Sequence, residues 1–168
     1  MANLSLLVIF PFLMAYAASR DLLTMLIPNT VSIALAVAFA AFAIGSGLGW
    51  IELAGHLGAG GVTLSVTFTL FAFGLIGGGD AKLAAATALW IGFDHLAEYL
   101  LLASVSGGAL TLGLLAMRSL PLPGAVARLP FALHLHDAKT GVPYGIALAL
   151  AALLILPETV IWTRSLGV

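Results

Sequence analysis

A chain of 168 residues that is 62% hydrophobic and only 8% charged, with net charge −1 and mean hydropathy +1.17, cannot clothe a soluble domain, whose composition includes roughly 25% charged residues. Without a basic block there is nothing to neutralise phosphates, so nucleic acid is excluded as a partner; without Cys there are no disulfides, thiolate nucleophiles or Cys-based zinc sites. A bilayer core of about 30 Å takes roughly 20 apolar residues per helix, so the sequence predicts an all-α polytopic membrane protein of about six helices, residues 1–168 forming one transmembrane domain.

The first apolar run is Ala2 to Ala18. Its end, Ala15-Tyr16-Ala17, has the small residues of a cleavage site, but no Lys or Arg precedes the run, as a signal peptide requires. It reads as a retained transmembrane helix. After the polar break Ser19-Arg20-Asp21, Pro28 opens a second span to about Trp50, since proline suits a first helical turn. Glu52 and His56 mark its far side. The third span, Gly58 to Ile76, is rich in small residues and Thr, which favours close helix packing. Gly77-Gly78-Gly79-Asp80-Ala81-Lys82 then interrupts the apolar run.

Ala81 to Phe93 is short for a span, reaching only about 20 Å at 1.5 Å per residue; a re-entrant helix is the competing reading. Leu96 to Met117 makes a fifth span. Residues 118–140 form the one sizeable loop, and Gly141 to about Trp162 is the last span, with Pro157 near its end. Six crossings gather Arg20, Lys82, Arg118, Arg128 and Lys139 on one side, leaving only Arg164 opposite with Glu52, Asp94, Glu98 and Glu158. The positive-inside rule makes the first side cytoplasmic and puts both termini outside.

Asp21 and Asp80 return to that cytoplasmic boundary, separated by two crossings. Ionisable groups at membrane depth are costly and usually functional. Two carboxylates at one depth suit aspartic peptidase chemistry, in which one takes a proton from water while the other donates to the carbonyl oxygen. Mutual repulsion in a low dielectric keeps both from ionising together, so the titration belongs to the pair. Gly77, Gly78 and Gly79 admit backbone angles closed to other residues and let a substrate strand approach the main chain. Taken singly, Asp21 has the structural alternative of pairing with Arg20, and Asp80 that of capping the next helix.

Asp21-Leu22-Leu23-Thr24-Met25-Leu26-Ile27-Pro28-Asn29 resembles the first aspartate motif of type IV prepilin peptidases. Gly77-Gly78-Gly79-Asp80 resembles their GxGD motif, shared with other intramembrane aspartic peptidases, and Pro143-Tyr144-Gly145-Ile146-Ala147 is similar to a Pro-Tyr-Gly stretch of their last helix. The resemblance implies catalysis by Asp21 and Asp80, an active-site loop of Gly77, Gly78, Gly79 and Lys82, no cofactor, and water as nucleophile. It also implies a prepilin substrate with a short basic leader cut after Gly, and residence in a bacterial inner membrane with the site facing the cytoplasm. The larger members carry a Cys-containing cytoplasmic domain and methylate the new terminus. This sequence is similar to the short form associated with Flp-type pili, so methylation is not implied.

Other candidates are weaker. His134-Leu135-His136-Asp137 suggests a metal, but i, i+2 spacing suits a strand face, whereas helical metal pairs stand at i, i+4; a titrating loop is the plainer reading, and no metal site is expected. Lys82 either biases the Asp80 carboxylate or meets a substrate acid, or it anchors at the interface by snorkelling. Ser104, Ser106 and Thr111 read as packing groups. The alternative function is a small ion- or proton-coupled transporter binding its cation at Asp21 and Asp80, since Gly-broken helices and membrane acids are transporter features too. Against it, both acids lie at one face and the chain shows no obvious inverted repeat.

Overall fold

The computed structural model describes residues 2–121, 129–138 and 140–166, with side chains from residue 8 onward except that of Pro130. Arg128 and Lys139, two members of the basic asymmetry, lie outside the described residues. The described chain is helical, without a strand: α1 (Ala2–Thr24), α2 (Asn29–Ser46), α3 (Trp50–Ala72), α4 (Gly78–Arg118), α5 (Pro130–His136), α6 (Tyr144–Ile155), a 3₁₀ turn (Leu156–Glu158) and α7 (Val160–Leu166).

Several boundaries differ from those expected. Helix α1 runs through the polar Ser19-Arg20-Asp21 instead of breaking there. Ser19 and Thr24 return their hydroxyls to the carbonyls four residues earlier, at 2.8 and 2.7 Å, which is how a helix tolerates them. Met25, at φ 53°, ends it, and Pro28 caps α2. Glu52 and His56 belong to α3, because the Glu52 carboxylate accepts the N–H of Gly49 at 3.0 Å and starts that helix early.

The short fourth span and the fifth join in α4, interrupted only at Gly92 (φ 74°, ψ 175°). A straight helix would carry Asp80 and Ser104 about 36 Å apart, yet both line one cavity of about 250 Å³. Tyr99, fully buried, lies against Thr87. The chain therefore doubles back at Gly92 into two arms, 78–91 and 93–118. That reversal frees the Leu89 carbonyl from its helical partner, and the buried His56 ring bonds it through Nδ1 at 2.8 Å. A Cβ at Gly92 would lie 2.9 Å from the same imidazole; glycine supplies both the positive φ and the space.

The first arm is the centre of the bundle. Its Trp90, fully buried, sits among Phe10, Phe39 and Phe42 with ring centroids 5.1 to 6.1 Å away, and its indole N–H donates to Leu35 O at 3.0 Å. On the other side α3 packs through Gly60, which receives Leu89, and through Gly58, which receives Phe93 at the start of the second arm. Between helices in lipid, such close contact supplies the stabilisation that hydrophobic transfer does not. Helix α6 closes the bundle against α1 and α4. It stops sooner than expected: Pro157 lies in the 3₁₀ turn, and α7 leaves at 55°. Helices α2, α3 and α4 are each long and apolar enough to cross a membrane, and the bent pair 144–158 and 160–166 adds a fourth if its two halves form one span.

Candidate active site

Asp21 occupies the last turn of α1, and it is only 5% exposed. Asp80 is the third residue of α4, after the N-cap Gly77, and its carboxylate reaches back to the Gly77 N–H. This is the carboxylate half of a capping box, so Asp80 does not itself cap the helix. Both acids line a cavity of about 630 Å³ at one end of the bundle, together with Met25, the 74–77 turn, Thr111, Gly141, Val142 and Tyr144. They also share a smaller pocket of about 230 Å³ with Ile27, Gly78 and Gly79. Each carboxylate lies within electrostatic range of the other. Oxygen Oδ1 of Asp80 is buried with no hydrogen-bond partner among the described residues. Asp21 makes no ion pair with Arg20, whose Nε is buried and unpartnered among those residues.

The last motif completes the site. The backbone N–H of Gly145, in the first turn of α6, donates to Asp21 Oδ2 at 2.6 Å. Both carboxylates thus stand at helix N-termini, Asp80 at that of α4 and Asp21 at that of α6. Unsatisfied N–H groups and the helix dipole there favour negative charge.

The glycine tract differs from its expected form. Gly77 has φ −71°, and Gly78 and Gly79 are already helical; none of the three adopts a positive φ. Their smallness serves close approach instead. A Cβ would lie 2.7 Å from Asp80 Oδ2 at Gly77, 3.1 Å from Phe71 at Gly78 and 3.1 Å from Ile27 Cβ at Gly79. The positive angle falls earlier, at Gly74 (φ 72°), where α3 turns into the site. Lys82 likewise lies in α4 rather than a loop. Its ammonium donates to Asn29 Oδ1 at 2.9 Å and faces a separate groove beside Ser32 and Gly61, so it joins α2 to α4 and does not line the aspartate cavity.

Of the remaining candidates, His134 and His136 fall on the short helix α5 and not on a strand, so their i, i+2 spacing turns them to different faces, the first exposed and the second half-buried. Among the described residues the His-carboxylate group that comes together is His95, Glu98 and Glu158, largely exposed, at the opposite end of the bundle. Thr111 lines the aspartate cavity, although its hydroxyl is turned to Gly107 O at 2.7 Å. Sequence reasoning counted Arg118 only among the basic residues of one side, whereas its guanidinium donates to Leu135 O, Thr140 O and Gly141 O at 2.8 to 3.0 Å. It ties the segment that lines the cavity to the end of α4. Its only signal was a lone Arg at the end of an apolar run.

Among known proteins, the model of the type IV leader peptidase family matches residues 8–112, a stretch holding both aspartate motifs but not Pro143-Tyr144-Gly145. No curated protein and no solved structure matches the chain. With more than half of its length matched, this chain is a peptidase that belongs to the type IV leader peptidase family.

Proposed function

We propose that the protein is an aspartic endopeptidase of the bacterial inner membrane that removes the leader of Flp-type prepilins at the cytoplasmic boundary. The observation that carries this reading is the convergence of Asp21 and Asp80 on one cavity of about 630 Å³. One carboxylate takes a proton from water as the water oxygen attacks the scissile carbonyl; the protonated partner donates to the carbonyl oxygen. The tetrahedral diol then collapses: the carboxyl that took water's proton gives it to the amide nitrogen, which leaves as the new amino terminus, while the other carboxylate takes a proton from one diol hydroxyl and the leader departs as a carboxylic acid. Neither metal nor cofactor enters these steps, and each aspartate gains one proton and gives one up, so the pair returns to its starting protonation state.

The bundle suits such a substrate. A pilin helix lying in the membrane would place the bond just before it at the level of the helix N-termini that carry both acids. In the six-span reading, with the arms of α4 counted separately, the Asp21 turn, the 73–77 turn and Arg118 share one boundary. The excess of basic residues in the segments on that side supports a cytoplasmic assignment by the positive-inside rule. Co-expression with a candidate Flp-type prepilin, scored by the mass of the mature pilin, tests the reading. Loss of the leader mass is expected with the parental enzyme and none with Asp21→Asn or Asp80→Asn.

A further inference from the structure

Gly107 and the Tyr144-Gly145 pair carry no acid, base or nucleophile, yet they meet behind Asp21. We propose that Gly107 and Gly145 are positioning residues for Asp21: Gly107 seats the Tyr144 ring, which fixes the first turn of α6, and the N–H of Gly145 in that turn holds the carboxylate. This rests on the reading of Asp21 as one of the reacting pair.

Helix α6 begins at Tyr144, so the Gly145 N–H is among the first four of its helix and has no carbonyl partner within it. Its partner is Asp21 Oδ2, at 2.6 Å and buried. No side chain fits at 145 while that bond is kept: a Cβ would lie 2.9 Å from the same oxygen, 2.9 Å from Ile27 Cδ1 and 3.1 Å from Asp21 Cβ.

The placement of that turn is decided on the second arm of α4. A Cβ at Gly107 would fall within the Tyr144 ring, against Cζ, Cε1 and the hydroxyl. The ring thus occupies a notch that only glycine leaves, and one turn away Ser106 faces the Ala147 carbonyl. Tyr144 precedes Gly145 directly. Displacing the ring displaces the N–H, and a shift of about 1 Å is enough to spoil a catalytic geometry.

The test reads Gly145 itself. The full-length protein, labelled with ¹⁵N-glycine and held in lipid nanodiscs, should show a strongly downfield, slowly exchanging Gly145 amide. Asp21→Ala removes the acceptor, and Gly107→Ala and Tyr144→Ala remove the seat. Each should move that resonance upfield and speed its exchange, while Gly47 and Gly61, remote from the site, stay in place. Gly107→Ala should also lower kcat on a candidate prepilin by about a hundredfold with KM unchanged. In the Tyr144→Ala background the same change should add nothing, because the two residues act as one. An unmoved Gly145 resonance in Gly107→Ala and Tyr144→Ala, or losses that simply add, would overturn the proposal. Since the resonances do not depend on turnover, a shifted Gly145 with no prepilin cleavage would leave the positioning intact and count against the peptidase reading alone.

Discussion

The backbone N–H of Gly145 donates to Asp21 Oδ2 across 124 positions of sequence, at 2.6 Å and out of solvent. It joins α1 to α6, and it engages the carboxylate on one oxygen only. With Asp80 similarly held by the Gly77 N–H, each acid is oriented by a helix N-terminus while facing the common cavity. Hydrogen bonds between neutral donors and carboxylates are stronger than neutral pairs, so the pair is pre-set before substrate arrives.

Substitution of either acid by the isosteric amide should therefore abolish cleavage without unfolding the protein. Asn retains a carbonyl oxygen that can accept the Gly145 or Gly77 N–H, but it cannot exchange the proton. Thermal unfolding midpoints near the parental value, with no detectable product for Asp21→Asn or Asp80→Asn, are the expected outcome. Cleavage by either well-inserted variant would remove the two-aspartate mechanism.

Gly77→Ala and Gly60→Ala should separate activity from stability. The added methyl at 77 meets Asp80 Oδ2 at 2.7 Å, so it should turn that carboxylate and lower kcat by about a hundredfold. At 60 the methyl meets Leu89 of the facing arm, far from the cavity. Overpacking there should cost about 1–3 kcal/mol while kcat is retained. Detergent-solubilised unfolding and steady-state cleavage, measured side by side, check both halves.

Gly92→Ala should be more destabilising than Gly60→Ala. It places a side chain at φ 74° and 2.9 Å from the His56 ring. With ψ at 175°, this backbone region is essentially confined to glycine and costs another residue about 1–3 kcal/mol, and the displaced imidazole would leave the Leu89 carbonyl unpaired. A larger drop in unfolding midpoint for Gly92→Ala is expected; equal midpoints would show that the reversal tolerates a Cβ.

Much of this was legible from the chain. The apolar runs identified an all-helical membrane protein, and the two aspartates proved to share one cavity because turns at 25–28 and 73–77 return the chain to the same end. Of the two roles read for the glycine tract, the special backbone angles are absent from 77–79; a sequence shows that Gly is present but not whether φ or proximity requires it. Ser19 and Arg20 suggested a break because their polarity is visible and the i−4 bond of Ser19 is not. The merging of two spans at Gly92 was hidden for a related reason: Asp94 and His95 mark an interface, while the reversal depends on one residue's backbone angles and on His56, distant in sequence. Long-range partners of this kind, including the hold of Arg118 on Thr140 and Gly141, carry no local pattern.

Arg118→Gln should loosen the segment that borders the cavity. Three carbonyls depend on that guanidinium, and Gln has too few donors to serve them. Faster amide exchange at 140–142 and about a tenfold fall in kcat, from an imprecisely held wall, are expected. Unchanged exchange there would mean that the segment is held by other contacts.

Cleavage of a purified Flp-type prepilin by the purified enzyme in lipid vesicles, read by the intact masses of leader and mature pilin, tests the central claim most directly. With chelator present throughout, the parental protein should release a leader ending in a free carboxylate and a mature pilin with a free amino terminus. Asp21→Asn and Asp80→Asn, inserted to the same level, should release neither. Product masses from either variant, or none from the parental enzyme with several such precursors, would contradict it.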